Sequence, residues 1–212
     1  MNDPAIRALL YPLLTEGVYI EELPTGKTRA DLVHITEQFM HCYEIKGDAD
    51  TLQRVVSQLG YYKEAYDLVT FIVTEKHLDK LLPLLPEWVG VMVVTPDSIT
   101  THRQAGYNSA VERTGIGGLL MLDELKQFML ARGLRGVSTM LRREVLHIMR
   151  HAHSIPVSHW ARYARERLTA RLPVRTQQRA ERKVLRELRH PKTPWRHNVK
   201  RLPRRKRPRG LP

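Results

Sequence analysis

Asp31, Glu44 and Lys46 are residues whose types and spacing suit one kind of chemistry. Hydrolysing a phosphodiester at neutral pH needs a water made more nucleophilic and positive charge against the developing phosphorane. A divalent cation held by a few carboxylates, Mg²⁺ or Mn²⁺, meets both needs. A lysine beside it would orient or deprotonate the attacking water, or stabilise negative charge. Glu44-Ile45-Lys46 reads as the end of a strand, where residues two apart share a face. Glu44 and Lys46 then project together, Ile45 enters the core, and the Ile45 backbone carbonyl is left as a further metal ligand. Asp31 lies on the preceding strand, and a hairpin around Glu37-Gln38 would set it beside Glu44. Two carboxylates about 4–6 Å apart repel unless a cation joins them. An E-x-K triplet alone is usually an ion-paired strand face. Here Asp31 at hairpin distance, and a following helix that carries Gln58 and Tyr61 or Tyr62, strengthen the chemical reading.

The elements that must position these residues follow from periodicity and punctuation. Residues 3–15 read as a helix capped by Asn2 or Asp3, with Pro4 in its first turn. Residues 18–23 alternate poorly but are β-rich. Residues 29–36 and 39–46 read as the next strands, and the three strands as an antiparallel meander. A helix to about Tyr66, capped by Asp48 or Asp50, follows. Residues 67–74 read as a central strand, 75–85 as a helix and 88–95 as the last strand. Residues 97–115 read as irregular, and 119–132, 138–151 and 157–171 as helices. The expected fold is α/β: a mixed sheet in an α-β-β-β-α-β core, followed by a helical basic region. The division expected is a core at 1–100, a helical extension at 101–172 and a basic tail at 173–212. That tail includes a basic helix at 175–190 and final residues too polar to bury a core.

Charge points to the partner. The net charge is +13, with a pI near 10.2. Residues 1–100 hold 8 Lys/Arg against 15 Asp/Glu, and the remainder hold 27 against 7. A basic half joined to an acidic one suggests a surface for a polyanion, most simply nucleic acid. Arg162, Arg165 and Arg167 on a helix, and Arg204, Arg205, Lys206 and Arg207 in the tail, are the expected phosphate contacts. No apolar run approaches the roughly 20 residues that cross a bilayer, so no membrane partner is expected. A homodimer or a protein partner stays open. The N-terminus does not read as a signal peptide, and the single cysteine, Cys42, fits a reducing cytoplasm.

Asp31–x(12)–Glu44–x–Lys46 on neighbouring strands, then a helix with Gln58, resembles the PD-(D/E)xK nuclease superfamily. The likeness extends through EEL (21–23), Arg29 and Asp31, YEIKGDADTLQRVVSQLGYY (43–62), D-x-V-T (67–70), EKHL (75–78) and P-E-W-x-G (86–90). Together these are similar to an uncharacterised bacterial branch of that superfamily with "sce" locus names, over roughly the first 150 residues. The resemblance implies a restriction-endonuclease-like core, with Asp31 and Glu44 as metal ligands and Lys46 as catalytic lysine. Gln58 would be the helix glutamine near the site, and Glu22 the additional acid. Many members place that acid on the first helix, where Glu16 is the alternative. The implied reaction is metal-dependent hydrolysis of a phosphodiester, with DNA the expected substrate and RNA the alternative. The alternative is a catalytically silent nucleic-acid-binding or accessory protein on the same fold.

Other candidates are weaker. His147 and His151 share a helix face, with His153 close by, but no further ligand beyond the distant His159 completes a zinc site. The run Gly115-Ile116-Gly117-Gly118 lacks the lysine and hydroxyl residue of a phosphate loop. Trp160 and Tyr163 would stack on single-stranded bases or, more simply, pack their helix on the core.

Overall fold

Six strands form one mixed sheet in the order β1-β2-β3-β4-β5-β6. They are β1 (Val18–Thr25), β2 (Thr28–Ile35), β3 (Met40–Lys46), β4 (Leu68–Thr74), β5 (Gly90–Val94) and β6 (Ile99–Arg103). The first three are an antiparallel meander, β3, β4 and β5 run parallel, and β6 returns antiparallel. Helices α1 (Asp3–Leu10), α2 (Val55–Ala65) and α3 (Glu75–Leu81) intervene in the expected order. After the sheet come α4 (Arg113–Leu119), α5 (Leu122–Ala131), α6 (Arg142–His151) and α7 (Val157–Ala170). The computed structural model describes residues 1–172, and Met1–Leu172 form one unit. The expected helix at 175–190 lies outside the described residues. No described helix is long and apolar enough to cross a membrane.

The two faces of the sheet are covered differently. On one, α1 packs Ile6 and Leu10 on Leu32, Tyr43, Ile45 and Ile72. On the other, α2 and the four late helices share a larger core with Val33, Cys42, Val69, Phe71 and Val91. Each large side chain fully withdrawn from water there contributes about 1.5–3 kcal/mol.

Four expectations are corrected. Residues 97–115 are not all irregular: Ile99–Arg103 is an edge strand whose partner is β5. Its middle is exposed, so it shows no apolar alternation, and only the β-branched run Ile99-Thr100-Thr101 betrays it. The helix expected at 119–132 starts later, at Leu122, behind extended backbone at Leu120 with ψ 153°, and a separate helix, Arg113–Leu119, precedes it. Neither Asp48 nor Asp50 caps α2, which starts at Val55 behind Arg54. Asp50 instead accepts the Gly47 N–H at 2.7 Å, which spends its oxygen on a turn. The first helix ends at Leu10, with a single 3₁₀ turn at Tyr11–Leu13 beyond it.

The glycine run at 115–118 belongs to α4. A Cβ at Gly115 would run into the Glu64 backbone, and one at Gly117 would lie 2.6 Å from Met149 Sδ. These glycines let α4 approach α2 and α6 closely, which explains a composition that reads as loop.

Candidate active site

Glu22, Asp31 and Glu44 form a row across β1, β2 and β3. The register pairs Glu21 with Leu32 and Leu23 with Ala30, so Glu22 stands opposite Asp31. On the other side Leu32 pairs with Tyr43, and the next step sets Asp31 opposite Glu44. Both ladders lack a rung at Asp31. Glu22 has φ 56°, the one left-handed non-glycine residue among those described, a conformation that costs about 1–3 kcal/mol. Here the alternation of both strands slips. Ile20 and Leu23 both face the larger core, as do Val33 and Ala30, although each pair is three residues apart. The poor alternation of residues 18–23 is the sequence trace of this twist.

Glu44 is almost fully buried, at 1% exposure. Lys46 Nζ donates to its Oε1 at 2.7 Å, and Gln58 Nε2 to the same oxygen at 2.5 Å. The Tyr62 hydroxyl donates to Oε2 at 2.6 Å. Lys46 Nζ also donates to Gln58 Oε1 at 3.1 Å. Gln58 and Tyr62 are four residues apart on α2, so both reach one partner from one helix face. Burial pushes the Tyr62 hydroxyl up, helped by Cys42 and Glu44, so it remains a donor. The expectation that Glu44, Lys46 and Gln58 converge is met, with Ile45 in the core beneath α1.

Asp31 sits at the cleft floor. Its Oδ2 accepts the Ile45 N–H at 2.8 Å. Burial, then the charge of Glu44, raises its carboxyl to about 7, against the lowering effects of the Ile45 N–H, Lys46 and Arg7. Carboxylate oxygens of Asp3, Glu22 and Asp31 lie within 4.8 Å of one another, close to the spacing of oxygens around a hard divalent cation. This donor set fits such an ion. Glu44 is outside this trio, and protein donors occupy both its oxygens. Arg7 balances the trio. It pairs with Asp3, donates from Nη2 to Glu22 Oε1 at 2.9 Å, and from Nη1 to the Asp31 carbonyl at 2.8 Å. Asp3, Asp31 and Glu22 outweigh the effect of its burial and hold the guanidinium above its ordinary value. Glu16 is not on the first helix; its backbone carbonyl contacts His34.

These groups line an open cleft of about 530 Å³ whose rim adds Lys27, Arg29 and Arg54. Arg29 is largely exposed and pairs with Glu22 Oε2 at 2.7 Å. An acidic floor under a cationic rim suits a ligand that carries phosphates to a bound cation.

Sequence reading missed Asp3, Arg7 and Lys27. Asp3 was legible only as a helix cap, and Asn2 holds that role by accepting the Ala5 N–H. The i,i+4 pair Asp3–Arg7 was the available signal.

The remaining candidates fall elsewhere. Trp160 is fully buried, with its ring 4.2 Å from Phe128, and Tyr163 packs on the same ring. Arg167 pairs with Glu124, as does Arg171. Arg162 and Arg165 line a separate cleft beside α7. Arg204, Arg205, Lys206 and Arg207 lie outside the described residues. The exposed rings of His147, His151 and His153 neighbour one another at 5.0 and 6.5 Å, without a carboxylate in their cluster. Cys42 is buried, and burial with Glu44 and Asp31 pushes its thiol well up, which suits a core residue and not a nucleophile.

Fold and site together define a mixed α/β protein with one acid-floored cleft and a helical layer built onto the sheet. The chain belongs to the bacteriophage P4 protein cII family, whose model matches residues 11–191. Among solved structures it is similar to a protein of unknown function from Silicibacter pomeroyi. That likeness has 16% identity and a TM-score of 0.42, over 65% of this chain and 94% of the other. No curated protein matches the chain.

Proposed function

We propose that the protein is a metal-dependent phosphodiesterase of the PD-(D/E)xK type that hydrolyses DNA. The observation that carries this reading is the row Glu22–Asp31–Glu44 with Lys46 Nζ 2.7 Å from Glu44. Carboxylates and a buried lysine converge there at the floor of an open cleft. The fold order α-β-β-β-α-β and the motif residues support it.

The mechanism follows from these residues. Asp31, with Glu22 and Asp3, would hold Mg²⁺ or Mn²⁺. When bound, the ion would make a water more acidic and neutralise the phosphorane. Arg7 keeps Asp3 and Glu22 in place. Glu44 and Gln58 fix the Lys46 ammonium, which orients the attacking water and carries part of the charge on the non-bridging oxygens. Tyr62 holds the second oxygen of Glu44 so that the carboxylate cannot rotate. Lys27, Arg29 and Arg54 position the flanking phosphates, and the basic tail adds affinity that falls with salt. A cytoplasmic location, within a bacterial or phage setting, fits the single buried Cys42 and the bacteriophage family name.

One observation favours a second reading. Both oxygens of Glu44 are occupied by protein donors, as a binding or accessory protein without turnover would tolerate. A metal titration separates the two. At a hundred times its dissociation constant, an ion that binds only the folded state stabilises by about 2.7 kcal/mol. The nuclease reading expects that rise in Tm with Mg²⁺ or Mn²⁺, and an unchanged Tm contradicts it.

A further inference from the structure

Helix α7 carries two kinds of arginine. Arg167 and Arg171 turn to Glu124 and are neutralised. Arg162 and Arg165 form no hydrogen bond or ion pair among the described residues, although the charge of Arg165 reaches Asp67. Both line a cleft of about 710 Å³ with Thr169, Glu166, Gly17, Val18, Thr36 and Glu37. Arg162 and Glu166 also line a neighbouring cleft with Arg132 and His159, so α7 forms a ridge between the two.

The placement of the larger cleft is what gives it a use. Its floor is the start of β1 and the end of β2. The carboxylate row lies further along the same two strands, at Glu22 and Asp31. Strands rise about 3.3 Å per residue. Val18 to Glu22 therefore spans roughly 13 Å and Thr36 to Asp31 roughly 17 Å. Phosphates of one strand in a duplex are spaced about 3.4 Å along the axis. The two clefts are thus separated by about four to five phosphates.

We infer that the α7 cleft anchors the phosphate backbone of the bound nucleic acid, and that β1 and β2 set a fixed spacing of about four to five phosphates between anchor and carboxylate row. This deepens the proposed function and rests on it for the identity of the ligand. Glu37 and Glu166 offset the arginines, so the grip comes from guanidinium forks on individual phosphates and not from net field. Removal of the Glu166 charge should therefore tighten it.

The test uses the full chain and fluorescent DNA hairpins of increasing stem length, in EDTA, so that binding to a duplex is read without turnover. Wild type is expected to gain about tenfold in affinity once the stem exceeds roughly five base pairs. Arg162→Ala/Arg165→Ala should lose that step and bind long hairpins as wild type binds short ones. Glu166→Gln should enlarge the step. The basic tail is common to all three proteins and cancels in the comparison. A smooth length dependence in wild type, or a step unchanged in the double variant, overturns the inference. So does failure to bind DNA at any length. With metal added, the same double variant should raise KM for long substrates and leave kcat unchanged. A step without cleavage of any substrate would support the anchor while contradicting the nuclease reading.

Discussion

Asp31 stands in for a rung of the sheet: its Oδ2 accepts the Ile45 N–H at 2.8 Å where the β2–β3 ladder ends. A side chain that closes a backbone hydrogen bond is held in direction, and its other oxygen is turned to the cleft. Glu22, left-handed at φ 56°, opens the opposite ladder at the same level. The sheet is thus parted on both sides of one carboxylate, and the gap is the site.

Asp31→Asn keeps an oxygen for the Ile45 N–H but removes the charge. The variant should fold with a Tm within a few degrees of wild type. The stabilisation by Mn²⁺ should disappear, as thermal denaturation with and without the ion will show. Full retention of the Mn²⁺ effect would exclude Asp31 as a ligand.

The raised Asp31 carboxyl gives a pH dependence with a definite sign. Its folded value, about 7, lies above the unfolded one. Between the two, the folded state binds more protons than the unfolded state, so metal-free stability falls as pH rises through that window and levels off above it. Metal needs the carboxylate, so cation affinity should rise over the same window with release of a proton. Denaturant melts across acidic to neutral pH, with and without Mn²⁺, check both slopes. Asp31→Asn should flatten them.

Tyr62→Phe deletes the donor to Glu44 Oε2 and leaves a buried charged oxygen short of one partner. The loss is about 1.5–3 kcal/mol of stability, and cleavage should slow through kcat with KM little changed. Denaturation and steady-state kinetics on the same preparation separate the two effects.

Gly115→Ala tests the helical layer. The added methyl meets the Glu64 backbone, which cannot swing aside as a side chain would. A destabilisation of at least about 1–3 kcal/mol is expected. An unchanged Tm would show that α4 does not sit as closely on α2 as described.

Much of this was legible from residues alone. Glu44 and Lys46 share a face because a strand has period two, and Asp31 faces Glu44 because the hairpin through Glu37-Gln38 has the register that burial demands. Gln58 reached the site as its helical position implied. Three things resisted reading. The Glu22 twist depends on one backbone angle and shows only as broken alternation. β6 is exposed at an edge, so hydrophobic pattern is silent there. Asp3 and Arg7 join the site through the tertiary docking of α1, which local spacing does not encode.

The central claim is tested most directly by cleavage of labelled single- and double-stranded DNA and RNA in Mg²⁺, Mn²⁺ or EDTA, with wild type set against Lys46→Ala. The account predicts metal-dependent cleavage of DNA by wild type, abolished by EDTA and reduced at least about a hundredfold in the variant, a loss like that of one charge-stabilising donor. Cleavage that survives equally in Lys46→Ala, or binding by both proteins with no cleavage in any metal, would contradict it.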